Sequence, residues 1–288
     1  MGECHLSDSA GWASAGYIGD MDGFCDIHAH LADLRVRERL DGLLREAAAT
    51  GVRRILANAA HVAEWPFLMA LAGPATPERP EIRAALGLHP FFLETEWTAD
   101  VPGRLRAALL AAPGACRAVG EIGLDFWPDS PPRDLQIEAF TAQLAVAVEL
   151  KLPVILHNRK SWNEFLPIWK QLGAGCIPGV CHLFNGSPEL AQRLLDAGLF
   201  LSFGGPLTWP EAHRVREAAT YAPWDRILTE TDSPDLAPAP HRGGECAPAH
   251  VRLVLDELAR VKKIAPEEAS RHVWANHQSL TGNPAWPG

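Results

Sequence analysis

From Phe24 onward the chain alternates short apolar runs with longer amphipathic stretches, and the alternation repeats to the C-terminal region. Short apolar runs bounded by turn residues predict buried strands, and apolar positions recurring at three and four predict helices. The runs Phe24–His28, Arg53–Asn58, Ile82–Leu88, Arg117–Ile122, Val154–His157, Gly179–Leu183, Phe200–Phe203 and Arg226–Thr229 predict eight strands. Between them, Val36–Thr50, which ends at Gly51, and Asp134–Leu150 carry the helical period. Ser187 and Pro188 supply an N-cap and a first-turn proline for a helix over Pro188–Ala197 that stops at Gly198. Eight strands alternating with helices predict an α/β fold, a TIM-type (β/α)8 barrel, regular or distorted, forming one domain over residues 24–288. Residues 1–23 lack periodicity and are expected to form a flexible leader. Asp232–Pro248 reads as one long loop after the last strand.

Composition narrows the classes. A chain of 288 residues, 47% hydrophobic, can bury one large core. Six cysteines without a CxxC pair suit free thiols in a reducing cytoplasm, not a disulfide framework or a zinc finger. No run approaches the roughly 20 apolar residues that cross a bilayer, and no basic segment precedes an apolar one at the N-terminus, so no membrane partner is expected. A net charge of −9 argues against a protein that coats nucleic acid, which needs a basic surface. It leaves room for an enzyme that grips one strand end.

The polar residues carry the chemistry. Asp26-x-His28-x-His30 ends the first strand, and a period of two puts the three side chains on one face, so two imidazoles can reach one ion. Glu121, His157, His182 and Asp232 fall at or next to the ends of four further strand runs, where barrel active sites sit. Mixed imidazole and carboxylate donors suit Zn, Mn, Ni or Co, with Fe also compatible, while an all-oxygen cage would suit Mg or Ca. Six donors exceed the three that one catalytic zinc usually takes from protein, so two ions sharing a carboxylate are expected. Such a pair suits in-line displacement at phosphorus.

These segments resemble the TatD family of metal-dependent deoxyribonucleases, among the amidohydrolase-like barrels. The resemblance rests on Asp26-Ile-His28-Ala-His30, Gly87-Leu-His89-Pro90, Gly120-Glu121-Ile-Gly-Leu-Asp125, His157-Asn-Arg159, His182-Leu-Phe184-Asn-Gly186 and Thr229-Glu230-Thr-Asp232-Ser-Pro234, in the family order. It implies that His28, His30, Glu121 and Asp232 hold one divalent ion and that Glu121, His157 and His182 hold the other, with the metal drawn from Zn, Mn, Mg, Ni or Co. Glu121 stands where many related hydrolases carry a carbamylated lysine. His89 is implied as a substrate contact, although Phe91 stands where the family often has a further histidine, and Cys246-Ala-Pro248 replaces the usual Asn-Glu-Pro.

The expected reaction is hydrolysis of a phosphodiester at a DNA end, 3′ to 5′ by the resemblance, through a two-metal-activated water, with Asp232 able to accept a proton. Arg159 is either a two-pronged phosphate clamp or a salt-bridge partner of Glu230 or another rim acid. Asp125, Glu230 and Asp26 read as partners of the ligands or as rim groups. His61, His213, His241, His250, His272 and His277 read as surface or loop residues. Trp97, Trp127 and Trp209 read first as core or rim, with a substrate platform as the other reading. A metal-dependent lactonase or amidase is the alternative activity, since one barrel hosts many reactions. A non-enzymatic metal-binding protein would instead need a closed coordination sphere. The protein is expected to act as a monomer or weak oligomer.

Overall fold

The computed structural model describes residues 23–172 and 174–281. The leader expected over residues 1–23 lies outside the described residues except Gly23, whose carbonyl accepts from Ser270 Oγ at 2.8 Å. Eight parallel strands follow one another around a single sheet: β1 (Phe24–Ala29), β2 (Val52–Asn58), β3 (Glu81–Leu86), β4 (Cys116–Asp125), β5 (Val154–Arg159), β6 (Gly179–Cys181), β7 (Phe200–Phe203) and β8 (Ile227–Thr229). Helices lie between successive strands, the longest being Arg133–Leu150, and the chain forms the expected TIM-type barrel. Among the described residues, no helix is long and apolar enough to cross a membrane. Cys25, Cys116, Cys181 and Cys246 are buried free thiols.

Strand alternation divides the apolar residues into two layers. Ile27, Leu56, Ala85, Ala118, Ile155, Val180, Phe200 and Leu228, one from each strand, fill the barrel interior together with Leu280. The small Ala85 and Ala118 lie across the barrel from Phe200, so bulk on one wall is matched by space on the other. The outward residues pack under the helices, as Phe140, Leu144 and Ala147 of Arg133–Leu150 do.

Two details position the site. The strands β4 and β5 run past the expected ends, to Asp125 and Arg159, so Glu121 sits inside β4 and not at its tip. The seam between β8 and β1 is closed beyond the short β8 by the following segment. Asp232 N–H donates to the His28 carbonyl at 2.9 Å and His30 N–H to the Ser233 carbonyl at 2.7 Å. The expected helix Val36–Thr50 is divided into Leu34–Arg37 and Leu40–Ala49, whereas Pro188–Asp196 matches its expectation, with the Ser187 cap in place.

Candidate metal centre

All six expected ligands converge at the C-terminal mouth of the barrel. His28 Nε2 and His30 Nε2 stand 3.1 Å apart. Glu121 Oε2 is 3.3 and 3.4 Å from them, and Asp232 Oδ1 is 3.5 Å from each. A regular tetrahedron of donors about 2.05 Å from its centre has edges of about 3.3 Å. The five recorded edges match that figure, so these four donors fit a divalent cation at their centre. The other oxygen of Glu121, Oε1, lies 2.8 Å from His157 Nδ1 and 2.7 Å from His182 Nε2, which are 3.3 Å from each other. This second set offers three donors and fits a cation that keeps open positions. Glu121 thus turns one oxygen to each set.

Local sequence explains how a buried glutamate arrives there. At Gly120 a Cβ would lie 2.7 Å from Ile155 Cβ. At Gly123, with φ +153°, a Cβ would lie 1.9 Å from the His157 carbonyl oxygen. Glycine on both sides of Glu121 lets β4 press against β5 and bring the carboxylate to His157. Asp232 has φ +58°, a left-handed conformation that Asp tolerates better than most residues. The two seam hydrogen bonds hold it there, so closing the barrel also delivers the fourth donor of the first set.

Two of the four imidazoles are oriented from behind by a hydrogen bond, while His28 Nδ1 and His182 Nδ1 have none among the described residues. His30 Nδ1 lies 3.2 Å from the Asn58 carbonyl, which can only accept, so Nε2 is left bare toward the centre. His157 Nε2 lies 2.8 Å from Asp125 Oδ2, which fixes Nδ1 as the donor atom toward Glu121. His182 turns Nδ1 toward Glu230 Oε1 at 3.6 Å, and that oxygen accepts from Leu183 N–H. Asp26 is no ligand: it accepts from His28 N–H and from Thr231 N–H and Oγ1–H, tying the first strand to the loop that bears Asp232. These three carboxylates are therefore ligand partners, as expected. Arg159 pairs with Asp125 at 3.0 Å, so the acid in the expected salt bridge is Asp125 and not Glu230.

His89 plays a different part. Phe91 N–H donates to its Nδ1 at 3.1 Å, so the neutral ring carries its proton on Nε2, 3.5 Å from Glu121 Oε1. Burial pushes its pKa down to about 4, so it stays neutral and faces the centre as a hydrogen-bond donor. Two positioning residues escaped sequence reading. Gln143 brackets Leu88, accepting from its N–H at 2.8 Å and donating to its carbonyl at 3.2 Å, while Gln136 does the same for Asp125 at 2.7 Å each way. Both are buried amides seven residues apart on Arg133–Leu150, and they fix the backbone at the ends of β3 and β4. A glutamine recurring at that interval on an apolar helix face was the available signal. His277, expected at the surface, is buried on the C-terminal helix with 2% exposure.

The electrostatics follow from four imidazoles around two carboxylates. Burial opposes ionisation of Glu121, but the imidazoles around it, His182 foremost, outweigh it and hold the carboxyl well below the usual range. His30 is pushed up to about 10: burial opposes its charge, and hydrogen bonds to Asp232 and Glu121 overcome that. His182 and His157 are also raised, against burial, by carboxylate neighbours. Without cations, protons on these rings offset the carboxylates. The raised pKa of His30 gives the metal-free protein a stabilising term that is complete below about pH 6.5. That term is lost as pH rises toward about 10. A cation competes with the same proton, so its apparent affinity should rise through this window, about tenfold per pH unit for each proton displaced. Adding Mn2+ to metal-free protein at pH 7 in weak buffer should release protons, at least one for each ion bound. Metal uptake with no pH change would refute this charge balance.

Comparison with known proteins agrees with the geometry. The family model described as TatD-related DNase matches residues 25–282. The chain is 37% identical over 258 residues to the metal-dependent hydrolase YcfH of Escherichia coli K12, covering 88% of this chain and 94% of YcfH. It is 34% identical over 255 residues to the metal-dependent hydrolase YabD of Bacillus subtilis, covering 88% and 97%. The crystal structure of YjjV, a TatD homolog from Escherichia coli K12, superposes with a TM-score of 0.84 at 30% identity, over 92% of this chain and all of that one. With its barrel, its clustered imidazole and carboxylate donors and these relatives, the chain belongs to the TatD-related family of metal-dependent hydrolases.

Proposed function

We propose that this protein is a phosphodiesterase that removes nucleotides from the ends of single-stranded DNA, with two divalent cations held between His28, His30, Glu121, His157, His182 and Asp232. The observation that carries the reading is the rim above Glu121. Phe91 and Trp127 are 47% and 43% exposed there, and the Arg159 guanidinium lies 4.5 Å from the Trp127 ring centre and 5.8 Å from that of Phe91. Lys160 Nζ lies 3.9 Å from the Trp127 ring. Exposed aromatic faces stack bases without regard to sequence, and guanidinium and ammonium groups beside them take the phosphates. Arg159 spends Nε on Asp125, and among the described residues its two terminal nitrogens have no recorded partner, leaving a two-pronged face for a phosphate.

Divalent cations in this site would supply Lewis-acid polarisation of the phosphoryl group and a water acidified toward neutrality. The protein does the rest. Asp232 uses Oδ1 on the two histidines and is held ionised below the usual carboxylate value: burial opposes this, and His30, His182 and His28 prevail. It can therefore accept the proton of the attacking water. His89 Nε2–H donates to a phosphoryl oxygen, and Arg159 fixes the phosphate before attack. A small basic rim cluster on a chain whose net charge is −9 contacts few phosphates, so the salt dependence should be shallow. A strand end leads its last phosphodiester into the mouth, whereas a duplex interior must first be opened. The 3′ end as starting point follows the family resemblance.

The test compares a circular single-stranded DNA with the same sequence linearised and labelled at each end in turn, beside a lactone panel. Stepwise loss of nucleotides from the linear form alone is expected. Arg159→Ala should raise KM on DNA about tenfold, at unchanged metal content and little changed kcat. Equal cleavage of circle and line would reject end-directed action, and lactone turnover without DNA cleavage would favour the esterase alternative.

A further inference from the structure

The opposite end of the barrel holds a second polar cluster that the metal chemistry does not use. Arg54, Arg83 and Arg117 lie near the starts of β2, β3 and β4. With Glu81, His277 and Thr281 they line a cavity of about 210 Å3, the last two reaching it from the C-terminal helix Pro266–Thr281. Glu81 answers two of the guanidiniums, with Oε2 2.9 Å from Arg54 Nε and Oε1 2.6 Å from Arg83 Nη2. Three guanidiniums against one carboxylate leave an excess of two positive charges, in a chain whose net charge is −9. Arg54 Nη1, Arg117 Nε and His277 Nε2 are buried with no hydrogen-bond partner among the described residues. The arginines are part-exposed and Arg54 also lies over the Trp274 ring at 4.3 Å, but buried donors left unanswered are costly and two excess positive charges around one cavity attract an anion, so the cluster has the character of one half of a binding site.

The missing half can be read from the atoms left over. Thr281 Oγ1–H donates to the His277 carbonyl at 2.9 Å, which leaves the hydroxyl oxygen to accept from His277 Nδ1–H at 3.1 Å. His277 Nε2 is then a bare acceptor among donors. Burial, with Arg54 adding to it, pushes the ring down to about 3 and keeps it neutral. A complementary ligand carries two negative charges, several acceptor oxygens and one O–H of its own. Hydrogen phosphate has that combination. Sulfate has the charge without the O–H, and a phosphomonoester has lost its last proton near neutral pH, its second pKa being about 6. The volume is below the ~300 Å3 where sites for larger organic ligands begin, which suits a small anion with water and not a nucleotide.

We infer that the N-terminal end of this barrel is a binding site for inorganic hydrogen phosphate, held by Arg54, Arg83 and Arg117 with His277 Nε2 accepting its proton. Occupancy ties the starts of three strands to the C-terminal helix, and its effect is read as stability. The test uses the full chain freed of metal by chelator dialysis, so that phosphate at the cation centre does not contribute. Thermal unfolding and calorimetric titration are run at pH 7.5 with phosphate, sulfate and methyl phosphate at matched ionic strength. Phosphate should raise Tm saturably by several degrees, and the other two anions should bind at least tenfold more weakly. Arg117→Met should weaken phosphate binding at least tenfold while being no less stable than the parent in chloride alone, because it removes an uncompensated charge. Arg83→Met gives a second binding measurement on another strand, with the loss of its Glu81 ion pair read separately as Tm in chloride. An equal response to the three anions, a response that does not saturate, or unchanged titrations in both variants would overturn the assignment.

Discussion

Replacing Glu121 by alanine is expected to lower turnover about a thousandfold, the scale of removing one group that organises transition-state charge. The barrel should stay folded. Among the described residues, Glu121 is the carboxylate that reaches both donor sets, Oε2 toward His28 and His30 and Oε1 toward His157 and His182. Its loss leaves the first set with three donors and the second with two imidazoles, which is too few to hold an ion in fixed geometry. The interior layer from Ile27 to Leu228 lies beneath the site and makes no use of the carboxylate, so its packing remains. Glu121→Gln separates charge from volume: it preserves the shape and should lose nearly as much activity. The checks are kcat on a chromogenic phosphodiester, bound metal, and Tm in chelator. Full activity with normal metal content in either variant would remove the shared carboxylate from the account.

The second large effect is expected on metal content. Changing His28 and His30 together to alanine takes two of four donors from the first set and leaves His157, His182 and Glu121 Oε1 in place. Bound metal after dialysis should fall by about one equivalent, with at least a hundredfold loss of turnover, the larger part of what one bridging group supplies. Both rings also offset the buried Glu121 and Asp232 carboxylates, so the variant's Tm in chelator is expected to fall and is read beside its metal content. The backbone N–H of His30 and carbonyl of His28 that close the seam are retained by alanine. Unchanged metal content by elemental analysis would mean that the strand-one pair does not hold an ion.

Much of this was legible in the sequence because the local signals agreed. The strand runs, the Ser187-Pro188 helix start and the interval of two between Asp26, His28 and His30 all follow from chain geometry that acts within a few residues. The six candidate donors that the structure brings together could be picked out because each lies at or near the end of an apolar strand run, where barrel sites sit. What was not legible depends on distant partners. Arg159 could have met Glu230 or another rim acid, and only the β4–β5 register, with Asp125 beside Arg159, decides it. Gln136 and Gln143 look like ordinary helix residues until the helix is seen lying across the ends of β3 and β4. His277 departs from its surface expectation because its helix turns a polar side chain into the barrel floor, where arginines from three strands meet it. The seam that seats Asp232 is likewise made by residues about 200 positions apart in the chain, beyond the reach of periodicity.

The central claim is a pair of cations bridged by Glu121, and anomalous X-ray scattering from Mn2+-loaded crystals at the manganese edge tests it most directly. The account predicts two peaks about 3.5–4 Å apart. One should be bound by His28, His30, Asp232 and Glu121 Oε2, the other by His157, His182 and Glu121 Oε1. A single peak at full loading, or two peaks without Glu121 between them, would contradict it.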